Sequence, residues 1–187
     1  DFTLSTKSGH VRLHREANNG KIDDFKITFV DTGLETLPGE RILRVKDYLP
    51  DGEDFMVTYG DGVGDINITE LIAFHKKANT IGTITGVHPR SKYGLIKVGK
   101  KKAVFEFQEK PQLHDWVNGG FMVFRRNFFD YLRPEETEHP ALGRLARDHQ
   151  LSLYTHDGFW HCMDTYADVE HLNRLWQEDP KWKIWKD

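Results

Sequence analysis

Apolar residues alternate with polar ones, or run together between turn residues, in at least seven short stretches of the chain: "KITFVDTG", "FMVTYGD", "IGTITGV", "LIKV", "AVFEFQEK", "VNGGFMVF" and "LSLYTH". That period and those lengths predict strands. Other stretches repeat at the helical period. Ile42, Val45, Tyr48 and Leu49 make one stripe after Gly39, and Ile68, Leu71, Ile72 and His75 make another, with Asn67 and Glu70 at capping-box spacing. Behind the start signal of Thr165 and Asp168, Val169, Leu172, Leu175 and Trp176 make a third. Strands interleaved with helices predict an α/β fold with a largely parallel or mixed sheet. At 187 residues the chain can bury a full core, and without repeats, low-complexity tracts or linkers it reads as one domain over 1–187.

The strand "FMVTY" runs into "GDGVGD", a doubly acidic, glycine-rich turn. Its spacing excludes three nucleotide and metal loops. The dinucleotide fingerprint needs a third glycine where Asp65 stands, and an EF-hand starting at Asp61 would meet Val63, Asp65, Ile66 and Ile72 at ligand or glycine positions. A P-loop needs a Lys-Ser/Thr pair that does not follow. What survives is a carboxylate, Asp61, at the carboxyl end of a strand, where open α/β sheets place their ligands. An Asp-Gly pair standing alone is more often a plain tight turn. In "FEFQEKP" the alternation puts Phe105, Phe107 and Glu109 on one face, and Pro111 is expected to keep Lys110 extended.

A net charge of −3 offers no field attractive to nucleic acid or acidic lipid, so an anionic substrate has to be held by local cations or metal. The basic cluster Lys100, Lys101 and Lys102 reads as a solvated hairpin tip. A single cysteine, Cys162, rules out an internal disulfide and suits a reducing compartment, the cytoplasm by default. No run is long and apolar enough for a membrane span, and the opening "DFTLSTKSGH" has neither a signal-peptide pattern nor an initiator methionine. Ten histidines come without H-E-x-x-H or C-x-x-C spacing, and His10 and His14, four apart in an alternating stretch, need not converge.

The turn "TYGDGVGDINI" is similar to that of sugar-phosphate nucleotidyltransferases, and "FVDTGLETLPGERILRVKDYL", "FQEKP", "VNGGFMVF", "GFWHCMDTYADVEHLNRLW" and "WKIW" extend the resemblance to the glucose-1-phosphate cytidylyltransferase branch. The stretches occur in family order from residue 25 onward, and the ordered set is far more specific than any one of them. The resemblance implies a Rossmann-like nucleotidyltransferase fold with a mixed, mostly parallel sheet. It also implies a reaction in which a sugar 1-phosphate attacks the α-phosphorus of a nucleoside triphosphate, CTP in this branch, releasing pyrophosphate and supplying nucleotide-sugars for lipopolysaccharide assembly. Joining two strongly negative groups calls for Mg2+ held by carboxylates. By resemblance these are Asp61 and Asp164. Asp164 or its neighbour Thr165 could equally cap the helix that begins there, and Phe159 and Trp160 read first as core. The resemblance further assigns Glu109 to sugar hydroxyls, Lys110 to the sugar phosphate, Asn118, Gly119 and Gly94 to the hexose, and Thr36, Arg41 and Gly60 to the nucleotide side. It implies a homo-oligomer.

Two departures qualify this. The stretch Pro38, Gly39, Glu40, Arg41 stands where the family resembles T-G-G-R, placing an extra carboxylate near the expected triphosphate. The family's opening strand, glycine-rich loop and following lysine have no counterpart, so the N-terminal part of the fold is expected to be missing from this chain or separate from it, and the chain alone to be inactive. Two other readings stay open: a non-catalytic module that binds a sugar phosphate or a partner through an uncovered sheet edge, or a transferase using another nucleotide such as dTTP, which "SKYGLIKV" favours.

Overall fold

The computed structural model describes residues 2–4, 11–13 and 26–185. They fall into two compact units, Asp1–Asp31 with Trp185–Asp187, and Thr32–Ile184. In the first, β1 (Phe2–Leu4) and β2 (Val11–Leu13) pair antiparallel with Thr3 opposite Arg12. His10 and His14 lie outside the described residues. The expected strand over "KITFVDTG" does not form: residues 26–33 contain no strand, and Ile27 and Phe29 are exposed. Alternation makes a strand only where its apolar face is buried, and here that face meets solvent.

The second unit is built on β3 (Phe55–Thr58), β5 (Gly82–Val87), β8 (Val117–Phe124) and β9 (Leu151–Thr155), in the order β3-β8-β5-β9. β8 pairs antiparallel with β3 and β5, while β5 pairs parallel with β9, so β3, β5 and β9 share one direction. This is the mixed α/β sheet expected. Its core gathers Ile81, Met122, Phe124, Phe128, Phe129, Leu132, Ala141, Leu142 and Leu145. Phe124 and Phe128 stack with ring centroids 3.9 Å apart.

Of the helices, α1 (Pro38–Arg44) is shorter than its apolar stripe, because a 3-10 turn takes over at Lys46–Tyr48 and leaves Tyr48 exposed. The cause is tertiary. The Arg126 guanidinium donates to the carbonyls of Leu49 at 3.1 Å and Pro50 at 3.0 Å, holding that backbone out of helical register. α2 (Ile68–Ala78) starts where Asn67 predicts, its Oδ1 accepting from Glu70 N at 3.1 Å, and buries Leu71 and His75. Burial pushes the His75 pKa down, and its Nδ1 lies 2.8 Å from Thr83 Oγ1. α3 (Glu138–Arg147) is absent from the helical periodicities above. Pro140 and Gly143 inside it read as breakers, yet Pro140 falls in the first turn, where an amide hydrogen has no helical partner to lose. α4 (Tyr166–Glu178) begins with a complete capping box between Thr165 and Asp168.

A two-residue pair of glycines shapes the middle of β8. Ile84 faces Met122 but Gly86 faces Asn118, so Gly119 to Phe121 bulge against a single residue of β5. Gly120 sits at φ +81°, and a β-carbon there would strike the Tyr59 ring. The remaining strands form two small ribbons. β6 (Leu95–Val98) and β7 (Val104–Gln108) make a hairpin whose tip is Lys100–Lys102, as the charge cluster suggests. β4 (Gly62–Gly64) and β10 (Trp160–Cys162) make the other.

Candidate active site

The β4–β10 ribbon assembles the acidic pair. Gly62 lies opposite Cys162, and the ladder continues one step through Met163 N to Asp61 O at 2.8 Å. Asp61 enters β4 just as Asp164 leaves β10, so antiparallel pairing delivers both carboxylates to the same end. One ligand atom from each of Asp61, Cys162 and Asp164 lies within 4.8 Å of the others. The ribbon is tied to the main sheet at the β8 bulge, where Trp160 Nε1 donates to Gly119 O at 2.8 Å.

Asp164 is not the helix cap. Thr165 takes that role, exchanging bonds with Asp168, which leaves the Asp164 carboxylate to other partners. Oδ2 accepts from Lys92 Nζ at 2.8 Å and Oδ1 from Cys162 Sγ at 3.1 Å, and these bonds hold its pKa below the usual carboxylate range. Burial, then the Asp164 carboxylate, push the Cys162 thiol up to about 12, so it stays protonated and donates. Thr165, followed by His161, holds Asp168 down at about 2; His161 Nε2 lies 2.9 Å from Asp168 Oδ1.

Asp164 stands on the wall of a cleft of about 800 Å³. Its cationic side chains are Arg90, Lys92 and Lys110, set among His88, His156, His161 and His171. Two backbone strings hold Lys92 and Lys110 on one wall: Ser91 N donates to Pro111 O at 2.8 Å, and Leu113 N to Pro89 O at 2.9 Å. Lys110 is not extended as expected. It sits at φ +45°, because β7 ends at Gln108 and the chain must turn at once to reach these contacts. Phe159 and Trp160, which read first as core, are half-buried: Phe159 stacks on Trp182 at 5.5 Å, and both residues line the cleft.

The other anticipated residues are dispersed. Arg41 spends its guanidinium on its own loop, donating to Thr36 O at 2.7 Å, Thr32 Oγ1 at 2.9 Å and Leu34 O at 2.9 Å, while Thr36 Oγ1 donates to Thr32 O. Glu40 accepts from Glu135 N at 2.9 Å and pairs with Arg44 at 2.6 Å, bonds that lower its pKa. The unexpected carboxylate thus staples α1 to the segment before α3. Gly60 has open space on its β-carbon side, whereas at Gly94 a β-carbon would strike the Phe107 ring and crowd Glu109 Oε2 at 3.2 Å. Asn118 Oδ1 accepts from Gly120 N at 3.0 Å, and Gly119 lends its carbonyl to Trp160. None of Thr36, Arg41, Gly60, Asp61, Gly94, Glu109, Asn118 and Gly119 lines the cleft itself. Conversely, sequence reasoning passes over Lys92, Arg90, His156 and His161. Lys92 lies inside the quoted "SKYG", but its partner is 72 residues away, beyond any local pattern.

A family described as nucleotidyl transferase matches residues 10–183. Two curated relatives match 98% of the chain: a Bacillus subtilis protein named probable glucose-1-phosphate cytidylyltransferase, 37% identical, and the Salmonella typhimurium glucose-1-phosphate cytidylyltransferase, 35% identical. The chain spans 71% and 73% of their respective lengths. Among solved structures, a Bacillus anthracis protein assigned as a glucose-1-phosphate thymidylyltransferase, in complex with a sucrose, superposes with TM-score 0.59 at 11% identity. That match covers 83% of this chain and 65% of the other, and at such identity the likeness is one of fold.

Proposed function

The chain belongs to the nucleotidyl transferase family, and we propose that it serves the transfer of a cytidylyl group from CTP to glucose 1-phosphate. The observation that carries the reading is the β4–β10 pairing, which brings Asp61 and Asp164 together beside a cleft containing Lys92 and Lys110. The relatives' names, both of glucose-1-phosphate cytidylyltransferases, supply the base and the sugar.

In the reaction a phosphate oxygen of the sugar 1-phosphate attacks the α-phosphorus, a new P–O bond forms, and the bond to the β-phosphate breaks with its electrons leaving on pyrophosphate. In this reading Lys110 holds the sugar phosphate as a point charge; its position on the cleft lining, beside the backbone bonds of Ser91 to Pro111 and Leu113 to Pro89, supports that role. The donor set of Asp61 and Asp164 fits Mg2+, a hard ion that takes one or two carboxylates and fills its remaining positions with water and phosphate oxygens; a protonated thiol such as Cys162 adds nothing to it. When bound, Mg2+ would offset the repulsion between the two phosphate groups. Glu109, Asn118, Gly119 and Gly94 are assigned to the sugar, and Thr36, Arg41 and Gly60 to the nucleotide side; for Arg41 the structure supports an indirect role, through the loop it ties. The enzyme is read as a cytoplasmic homo-oligomer. No helix among the described residues is long and apolar enough to cross a membrane.

The test is pyrophosphate release from CTP and glucose 1-phosphate by the protein containing this chain, with dTTP, GTP and ATP alongside. CTP should be preferred, and Asp61→Asn and Asp164→Asn should each weaken Mn2+ binding by at least about tenfold, roughly 1.4 kcal/mol. Absence of pyrophosphate release with every one of the four nucleotides would sink the activity, and Mn2+ affinity unchanged in either variant would sink the metal assignment.

A further inference from the structure

Asp164 already has a cation. Lys92 Nζ donates to its Oδ2 at 2.8 Å, while its Oδ1 is occupied by Cys162. The loop that brings Lys92 there has hydrogen bonds of its own, apart from this ion pair. Ser91 Oγ donates to Tyr93 O at 2.7 Å and accepts from Tyr93 N at 3.1 Å, and Ser91 N is anchored on Pro111 O. Lys92 would therefore remain at the site if its bond to Asp164 were broken. The bond is also an easy one to break, since the two side chains are 54% and 49% exposed, the condition under which ion pairs hold weakly.

Asp61 and Asp164 present like charges to one another at the end of the ribbon, and an ammonium on one of them relieves that repulsion. A divalent ion at the same carboxylates would bring twice the charge and direct coordination, and an ammonium 2.8 Å from Asp164 Oδ2 would then stand close to a like charge, so the two cations compete for Asp164. We propose that Lys92 is the resident counter-cation of Asp164, which a divalent cation must displace, so that Lys92 keeps the carboxylates together when the cation is away and sets how tightly the cation binds. The inference rests on the reading that Asp61 and Asp164 hold that cation.

Mn2+ titration followed by electron paramagnetic resonance, in the protein containing this chain, tests it. Lys92→Met should bind Mn2+ more tightly, by about two- to fivefold, the worth of an exposed ion pair. Lys92→Arg, which keeps a charge able to pair with Asp164, should stay near the parent. Unchanged or weaker binding in Lys92→Met overturns the proposal. A second readout needs no neutral variant: with lysines carrying 13C-methyl labels, the Lys92 resonance, identified by its loss in Lys92→Arg, should move toward that of a free lysine as Mg2+ saturates. A resonance that does not move overturns the proposal, even if Lys92→Met fails to fold. Asp164→Asn separates the two failures. If it leaves Mn2+ affinity intact, the metal reading falls; if it abolishes binding while Lys92→Met changes nothing, only the role of Lys92 falls.

Discussion

Lys110 is the residue at which local rules and the site disagree. A residue before proline is biased toward extended backbone, yet Lys110 holds φ +45° to reach the cleft wall. For an L-residue this conformation costs roughly 1–2 kcal/mol, while placing glycine there would add about 0.5–1 kcal/mol of unfolded-chain entropy. The two nearly cancel. Lys110→Gly should therefore change stability by less than about 1 kcal/mol in urea denaturation, while raising KM for glucose 1-phosphate, lowering kcat, or both. A much larger stability loss would mean that the lysine packs structurally, and unchanged kinetics would remove it from the sugar-phosphate site. The lysine's identity was legible in "FQEKP"; its backbone was not, because the contacts that bend it, Ser91 to Pro111 and Leu113 to Pro89, come from a strand end earlier in the chain.

Elements in this fold are positioned through close approaches as much as through apolar stripes. Gly39 is buried in α1, and a β-carbon there would lie 2.6 Å from the backbone carbon of Thr137, at the entry to α3. Backbone cannot swing aside as a side chain can. Gly39→Ala should destabilise by about 1–2 kcal/mol, an overpacking cost only partly offset by alanine's helix propensity. Gly143, inside α3, has open space on its β-carbon side. Gly143→Ala should stabilise by about 0.5–1 kcal/mol. Thermal melts of the two variants check both signs; a neutral Gly39→Ala would show that α1 and the Thr137 segment can separate. The contrast also explains the departure at residues 38–41. Glu40, which the sequence makes look misplaced beside a triphosphate, pairs with Arg44 within α1 and fastens the helix to Glu135 N, a role that no local pattern announces.

At the scale of the molecule, a net charge of −3 opposes an anionic substrate, while Arg90, Lys92 and Lys110 in the cleft attract it. Salt decides between them, because added ions weaken whichever term dominates. Local cations a few ångströms from the phosphate should dominate over charges spread beyond the Debye length of about 10 Å at 0.1 M salt. Raising monovalent salt from about 0.05 to 0.5 M should then weaken glucose 1-phosphate binding several-fold. Calorimetric titration at several salt concentrations measures this, and tighter binding at high salt would show that the overall charge governs.

Periodicity and capping chemistry by themselves determined the strands β3, β5, β6, β7, β8 and β9, the start of α2 at Asn67 and the start of α4 at Thr165, since each depends on residues a few positions apart. The ordered motifs also singled out Asp61, Asp164 and Lys110. Only the tertiary structure decided that Thr165 and not Asp164 caps α4, that Arg41 ties its own loop, and that Lys92 pairs with Asp164. It alone disclosed β4 and β10, each of three residues, too short to carry a period of their own. Such strands exist because they find each other across the fold. The carboxylate pair exists for the same reason, being made by antiparallel register between one segment that an aspartate opens and another that an aspartate closes.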